Sequence, residues 1–372
     1  MPNLHSHAFQ RGMAALAEHR GPASDNFWSW RETMYRFALG MTADEVEAVA
    51  AQLYVEMLEA GFTRIGEFHY LHHDRDGTPY ADRGELAGRI AAAAQTAGIG
   101  LTLLPVFYAH TSFGGVAPTD GQRRFINDID GFSRILERAH ELARTVPGTV
   151  VGVAPHSLRA AGPDEIAAVA ALAQGPIHIH AAEQTREVDD CLAWSGARPV
   201  EWLLDHAGVD ARWCLIHATH MTDDETVRLA RSGAVAGLCP VTEANLGDGV
   251  FQGPRFREAG GLYGIGSDSN ILIGVADELR QLEYAQRLKH RQRNVMAGGP
   301  GSTGRALYEA AHAGGSRALG VDASGIAPGA PADLVSLAPR FHEAPDGDRL
   351  LDAHVFAAGA AVDGVWIAGR KL

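Results

Sequence analysis

The chain has 372 residues, 46% of them hydrophobic, and 32 Lys and Arg against 45 Asp and Glu give a formal charge of −13. That length and apolar content suit a large core, of the size of a (β/α)8 barrel with an appendage. The acidic balance, without any Lys/Arg run, argues against non-specific binding to nucleic acid or to a membrane surface, and leaves open a small anionic ligand held by a local arginine pair.

The first element is a strand at 4–8 that carries His5-Ser6-His7. Side chains alternate along a strand, so His5 and His7 face the same way and make half of a metal site. Phe27-Trp28-Ser29-Trp30-Arg31 reads as an aromatic loop able to act as a lid. A helix over 42–60 opens with a capping box, Thr42 and Glu45. Strands follow at 63–68, 100–107, 149–155, 176–180, 213–217, 234–239 and 263–266. Amphipathic helices fall between or after them at 85–97, 132–144, 163–173, 223–231, 276–289 and 304–318. Strands alternating with helices predict a closed parallel barrel over residues 1–324, with an open doubly wound sheet as the alternative. The Gly- and Pro-rich tail, residues 325–372, predicts a small β-rich unit beside it. The literal GxGxxG at 299–304 follows a helix rather than a strand and reads as a loop.

In a barrel the C-terminal strand ends gather at one rim, where active sites lie. The polar residues of this chain fall at those ends. His5, His7 and His180 can offer three imidazole nitrogens and Asp268 an oxygen to one divalent cation, which would activate water for hydrolysis. Glu183, three residues past His180, suits a proton shuttle to a leaving group. Asp268 or His217 is placed to take the proton of the attacking water. His178 is expected to pack deeper in the barrel. Residue types alone leave Zn, Fe, Mn and Ni open.

Asn3-Leu4-His5-Ser6-His7, His180-Ala181-Ala182-Glu183, His217 and Gly266-Ser267-Asp268 resemble the amidohydrolase superfamily, in its deaminase branch, over nearly the whole chain. Segment 148–161 contains no lysine, whereas two-metal members often bridge their ions with one, so a single ion is expected. His5-Ser6-His7-Ala8-Phe9-Gln10-Arg11-Gly12, Phe27 to Arg31, Ala154-Pro155-His156-Ser157-Leu158-Arg159, and Thr242-Glu243-Ala244-Asn245-Leu246-Gly247-Asp248-Gly249 are similar to the N-formimino-L-glutamate deiminases. That resemblance implies zinc, a homodimer, and hydrolysis of a formimino group to a formyl group and ammonia in histidine degradation. It also implies Arg31, Tyr70 and Arg159 on the substrate carboxylates, with Gln10 and His156 near the formimino group. A small dianion does need fixed donors, and arginine forks supply them. Another deaminase acting on a different amidine or a nucleobase, or a non-catalytic metal-binding relative, remains the alternative.

Similar proteins carry a β-rich N-terminal segment that pairs with the C-terminal β unit. This sequence opens at Met1-Pro2-Asn3, so that half of the β domain is expected to be missing, leaving tail strands with unpaired edges. Three widely spaced cysteines, Cys191, Cys214 and Cys239, suggest no disulfide framework, and a cytoplasmic location is expected.

Overall fold

A computed structural model describes residues 1–20, 25–323, 325–340 and 347–372. Nine short strands run parallel: β1 (Pro2–Ser6), β2 (Arg64–His69), β3 (Gly100–Phe107), β4 (Val150–Val151), β5 (Ala154–Pro155), β6 (Ile177–Ala181), β7 (Trp213–His217), β8 (Val235–Leu238) and β9 (Leu262–Ile265). They form two sheets, ordered β1-β2-β3-β4 with β5 also on β3, and β6-β7-β8-β9. Isolated parallel bridges join the sheets at both seams: Ser6 with Asp268, and Val153 with Ile177 and Ser157 with His180. With helices between the strands, the arrangement is that of an α/β fold consistent with a TIM-type barrel.

The strand expected at 149–155 is split in two. At Gly152 an added Cβ would lie 2.4 Å from the Pro176 carbonyl oxygen, so only glycine allows the neighbouring chain this close. There the backbone changes partner, from Gly152 N–H on Leu103 to Val153 N–H on Pro176. β1 also stops two residues early, at Ser6, and His7 begins the turn into a 3-10 helix, Ala8–Met13. The inner cluster contains Leu4, Cys214, Ile216 and Val235, closed by Ala318 and Leu319. His178 is fully buried with its Nε2 2.7 Å from the Ala318 carbonyl, in the deeper position expected of it.

The largest departure is at Phe27–Gly40, which is a helix and not a loop. Asn26 caps it, accepting from Trp28 N–H, while Ser29 accepts from Asn26 N–H. Phe27, Met34 and Ala38 are its buried face, at helical spacing. Further helices not expected from the sequence are Thr185–Ser195, Pro199–His206, Pro240–Leu246, Gly253–Glu258 and Asp348–Ala357. The capping box of Thr42 and Glu45 is present, and Ser302 caps the helix that follows the Gly-Pro-Gly loop.

In the tail, β10 (Leu334–Pro339), β11 (Ala360–Ile367) and β12 (Arg370–Lys371) form an antiparallel sheet. Ser324, where the barrel was expected to end, lies outside the described residues. All three cysteines are buried and free. Among the described residues no helix is long and apolar enough to cross a membrane.

Candidate active site

His5 lies on β1, His7 follows it, His180 lies on β6, and Asp268 follows β9. One nitrogen or oxygen from each of the four lies within 4.8 Å of the others. His5 Nε2 is 3.1 Å from His180 Nε2, and Asp268 Oδ1 is 3.4 Å from His5 Nε2 and 3.2 Å from His7 Nε2. Backbone bonds fix these strand ends, from His7 N–H to the Asp268 carbonyl and from Asp268 N–H to the His5 carbonyl, each 3.0 Å.

The outer ring nitrogens decide where the lone pairs point. His7 Nδ1 lies 3.0 Å from the Phe68 carbonyl and His180 Nδ1 3.1 Å from the His156 carbonyl. A carbonyl only accepts, so both Nδ1 atoms carry the proton and both Nε2 lone pairs face the centre. Burial pushes His5 down to about 3, with Asp268 opposing, and drives His180 well below the ordinary histidine value. Burial would raise Asp268, but the adjacent His5 and His7 outweigh it and hold the carboxyl well below the usual range. Neutral imidazole nitrogens and a carboxylate oxygen converging in a buried space are a donor set that fits a divalent cation.

A second acidic group adjoins the first. His217, at the end of β7, has Nε2 3.6 Å from Glu183 Oε1 and 3.8 Å from Asp268 Oδ2, and Nδ1 3.3 Å from Glu243 Oε1. Burial opposes a charge on this ring, yet Glu183, Glu243 and Asp268 outweigh it and push His217 up to about 10. Burial pushes Glu183 up to about 7 against the pull of His217 and Arg159. Asp248, buried near Glu183, is pushed up to about 9. The backbone here is bent into the left-handed region at Ala182 (φ 53°), His217 (φ 68°), Ala218 (φ 48°), Asp268 (φ 46°) and Asn270 (φ 59°). Such residues cost on the order of 1–3 kcal/mol each and mark places where geometry is held for chemistry.

Above these groups opens a cleft of about 540 Å³, lined by Gln10, Arg31, Tyr70, His156 and Arg159 together with His7, His180, Glu183, His217 and Asp268. Every residue expected in the site is therefore on the cleft wall except His5, which lies at its floor with no exposed surface. Gln10 Nε2 donates to the Tyr70 hydroxyl at 2.8 Å, and its Oε1 is buried without a partner. His156 packs its ring 4.8 Å from that of His180. Arg159 is 8% exposed, its Nε is unsatisfied, and among the described residues it makes no hydrogen bond or ion pair. Arg31 sits on the first turns of the Phe27–Gly40 helix, its guanidinium 4.5 Å from the centre of the Trp28 ring.

Sequence reasoning missed Glu243, Asp248 and Tyr108. Glu243 and Asp248 lie inside the polar run 242–249 that follows β8, and Tyr108 directly follows β3. All three stand where barrel active sites are built, and that position was the available signal.

The amidohydrolase family pattern matches residues 2–372. A formimidoylglutamate deiminase from Pseudomonas aeruginosa is 51% identical over 100% of this chain and 83% of its own length. A crystal structure of an amidohydrolase from Brucella melitensis superposes with a TM-score of 0.98 at 63% identity, covering 100% of this chain and 83% of that one. An adenosine deaminase from Xanthomonas campestris with bound zinc shares the fold at a TM-score of 0.75 and 22% identity, over 100% of this chain and 79% of that one. A family match across almost every residue, on a fold that gathers His5, His7, His180 and Asp268 at one rim, makes this chain a member of the amidohydrolase family.

Proposed function

We propose that the chain is a formimidoylglutamate deiminase of histidine degradation, hydrolysing N-formimino-L-glutamate to N-formyl-L-glutamate and ammonia. The observation that carries this reading is the cation Arg159, buried in the cleft wall without a hydrogen bond or ion pair among the described residues, with Glu187 and Glu183 acting on it only at longer range. A guanidinium left unpaired in a low-dielectric wall fits a site completed by a carboxylate of the ligand. The 51% identity to the Pseudomonas aeruginosa enzyme over the full chain supports the same substrate.

His5, His7, His180 and Asp268 would hold one divalent cation, with zinc as our choice of metal. When bound, that ion supplies Lewis-acid activation of the hydrolytic water. Asp268 accepts the proton of the attacking water. His217, which its carboxylate neighbours push up in the metal-free cluster, donates toward the oxygen that gains charge. With the formimino group as its cationic amidinium, water adds to the carbon as its first proton passes to Asp268; Glu183 then protonates the terminal nitrogen, the bond from that nitrogen to the carbon breaks and ammonia leaves, the adduct's hydroxyl proton returns to Glu183 as the carbon becomes a formyl group, and the proton on Asp268 goes to solvent. Gln10 and His156 face the formimino group, while Arg31, Tyr70 and Arg159 hold the two carboxylates.

The same reading divides the chain into a barrel, residues 1–324, and a small β-rich unit, residues 325–372, and places it as a homodimer in the cytoplasm, where three free thiols are stable. A coupled ammonia assay on N-formimino-L-glutamate, run beside other amidines and nucleobases with metal analysis of the same sample, tests it. Ammonia from the formimino substrate and a bound metal near one equivalent are expected. Turnover of nucleobases alone, or metal without turnover, would overturn the reading.

A further inference from the structure

Gln122 is buried with no exposed surface, one wall behind the cleft. Its Oε1 accepts from the backbone N–H of Thr119 at 2.8 Å and from the Thr119 hydroxyl at 3.1 Å. A backbone N–H can only donate, so the orientation of this amide is fixed by chemistry and not by choice. The NH2 end then faces two phenols. It donates to the Tyr108 hydroxyl oxygen at 2.7 Å and lies 3.4 Å from that of Tyr35. Both phenol oxygens are therefore acceptors toward Gln122, and their own protons are turned away from it. The two hydroxyls are 3.4 Å from each other, so one can satisfy the other, which leaves at least one O–H without an acceptor among the described residues.

Tyr35 and Tyr108 both line the cleft, beside Arg31 and Arg159. The Arg31 guanidinium lies 5.6 Å from the centre of the Tyr35 ring, and the Tyr108 ring packs 4.6 Å from that of His156. This end of the cleft thus presents donors: two guanidinium groups and a phenol proton whose direction is set from behind. We propose that Tyr108, with Tyr35, binds a carboxylate of the substrate, and that Gln122 is the positioning residue that points their protons at it. The proposal rests on the dicarboxylate reading above and assigns that reading two further contacts and the device that orients them.

The test uses the full chain with its metal, N-formimino-L-glutamate, and two analogues: 4-(formimidoylamino)butanoate, without the α-carboxylate, and 2-(formimidoylamino)butanoate, without the distal one. Tyr108→Phe is expected to raise KM for the dicarboxylate by about 10- to 100-fold with kcat within about threefold of wild type. With one of the two analogues that KM penalty is expected to vanish, which a loss of general packing would not produce. Gln122→Glu keeps the shape and still accepts from Thr119, but it draws the phenol protons to itself, and KM is expected to rise at least as much. KM within about threefold of wild type in Tyr108→Phe, Tyr35→Phe and Gln122→Glu alike, with the wild type active, overturns this proposal alone. A wild type that releases no ammonia from N-formimino-L-glutamate overturns the dicarboxylate reading, and this proposal falls with it, before any variant is made.

Discussion

His5 Nε2 and His180 Nε2 face each other at 3.1 Å with their ring planes 87° apart. The Nδ1 proton of His180 is committed to the His156 carbonyl, so its Nε2 offers a lone pair into this gap, which a neutral His5 meets with its own Nε2–H or, as its other tautomer, shares with a cation. A bound cation selects that second tautomer and takes both lone pairs. Chelation is therefore expected to abolish ammonia release and to lower Tm, because an ion that binds only the folded chain stabilises it, by about 4 kcal/mol at a thousandfold excess over its Kd. His180→Ala is expected to lose metal and activity together. Metal analysis, thermal melts and the ammonia assay on one preparation check this, and full metal content in His180→Ala would remove that histidine from the ligand set.

Glu183 and Glu243 both touch His217, yet they should fail differently. Glu183 faces the cleft, so Glu183→Gln is expected to keep its metal and lose about 10²- to 10⁴-fold in kcat. Glu243 is spent behind the ring, accepting from Cys239 N–H at 2.8 Å as well as meeting His217 Nδ1. Glu243→Gln is expected to lose about 10- to 100-fold, with metal content unchanged and the His217 titration, followed by NMR, moved to lower pH. Equal losses in the two variants, with no shift of the histidine, would put both carboxylates in one structural role.

The metal-type cluster was legible because its residues sit at strand ends, and strand periodicity is written in the chain. His5, His7, His180 and Asp268 come from three distant strands, and only the rule that such ends share a rim brings them together. The Phe27–Gly40 helix was not legible in the same way, since Trp28 and Trp30 stand off its buried face and obscure the spacing of Phe27, Met34 and Ala38. The break at Gly152 depends on Pro176, just before β6, which no local pattern records. The Thr119, Gln122 and Tyr108 chain was likewise invisible, because glutamine in a loop carries no signal until its two ends are seen to meet different partners.

Two buried histidines outside the metal-type cluster set an acid limit on stability. Burial pushes His69 down to about 3, with Arg124 adding to the effect, and His178 down to about 4, with the Ala318 carbonyl opposing. In the unfolded chain each titrates near the ordinary value of about 6.5. Between those values the unfolded state binds more protons than the folded one, so stability is full above pH ~6.5 and falls as the pH drops toward ~4, by about 1.4 kcal/mol per pH unit for each group once the unfolded histidine is protonated. Urea unfolding of metal-stripped protein at pH 7 and pH 5 reads this. His178→Gln, which can still donate to Ala318 and does not titrate, is expected to flatten the dependence. A stability that is level from pH 7 to pH 5 would mean that neither ring is held neutral by the fold.

Arg159 carries the last prediction, because its buried charge has no direct partner and so stands ready for a carboxylate. Its guanidinium lies beside the cleft without a hydrogen bond or ion pair among the described residues, while Glu187 and Glu183 at longer range outweigh its burial and keep it charged. Arg159→Met, similar in length and apolar, is expected to stay within about 1 kcal/mol of wild type in urea unfolding, since it removes the cost of burial together with that attraction. The same variant is expected to lose about 10²- to 10⁴-fold in kcat/KM for N-formimino-L-glutamate, since the substrate carboxylate then loses this guanidinium and an apolar chain stands in its place. Binding should report the same loss: N-formyl-L-glutamate is expected to raise Tm in wild type and to raise it much less in Arg159→Met. A variant that is both less stable and still saturated by substrate at the wild-type KM would show that Arg159 supports the wall rather than the ligand.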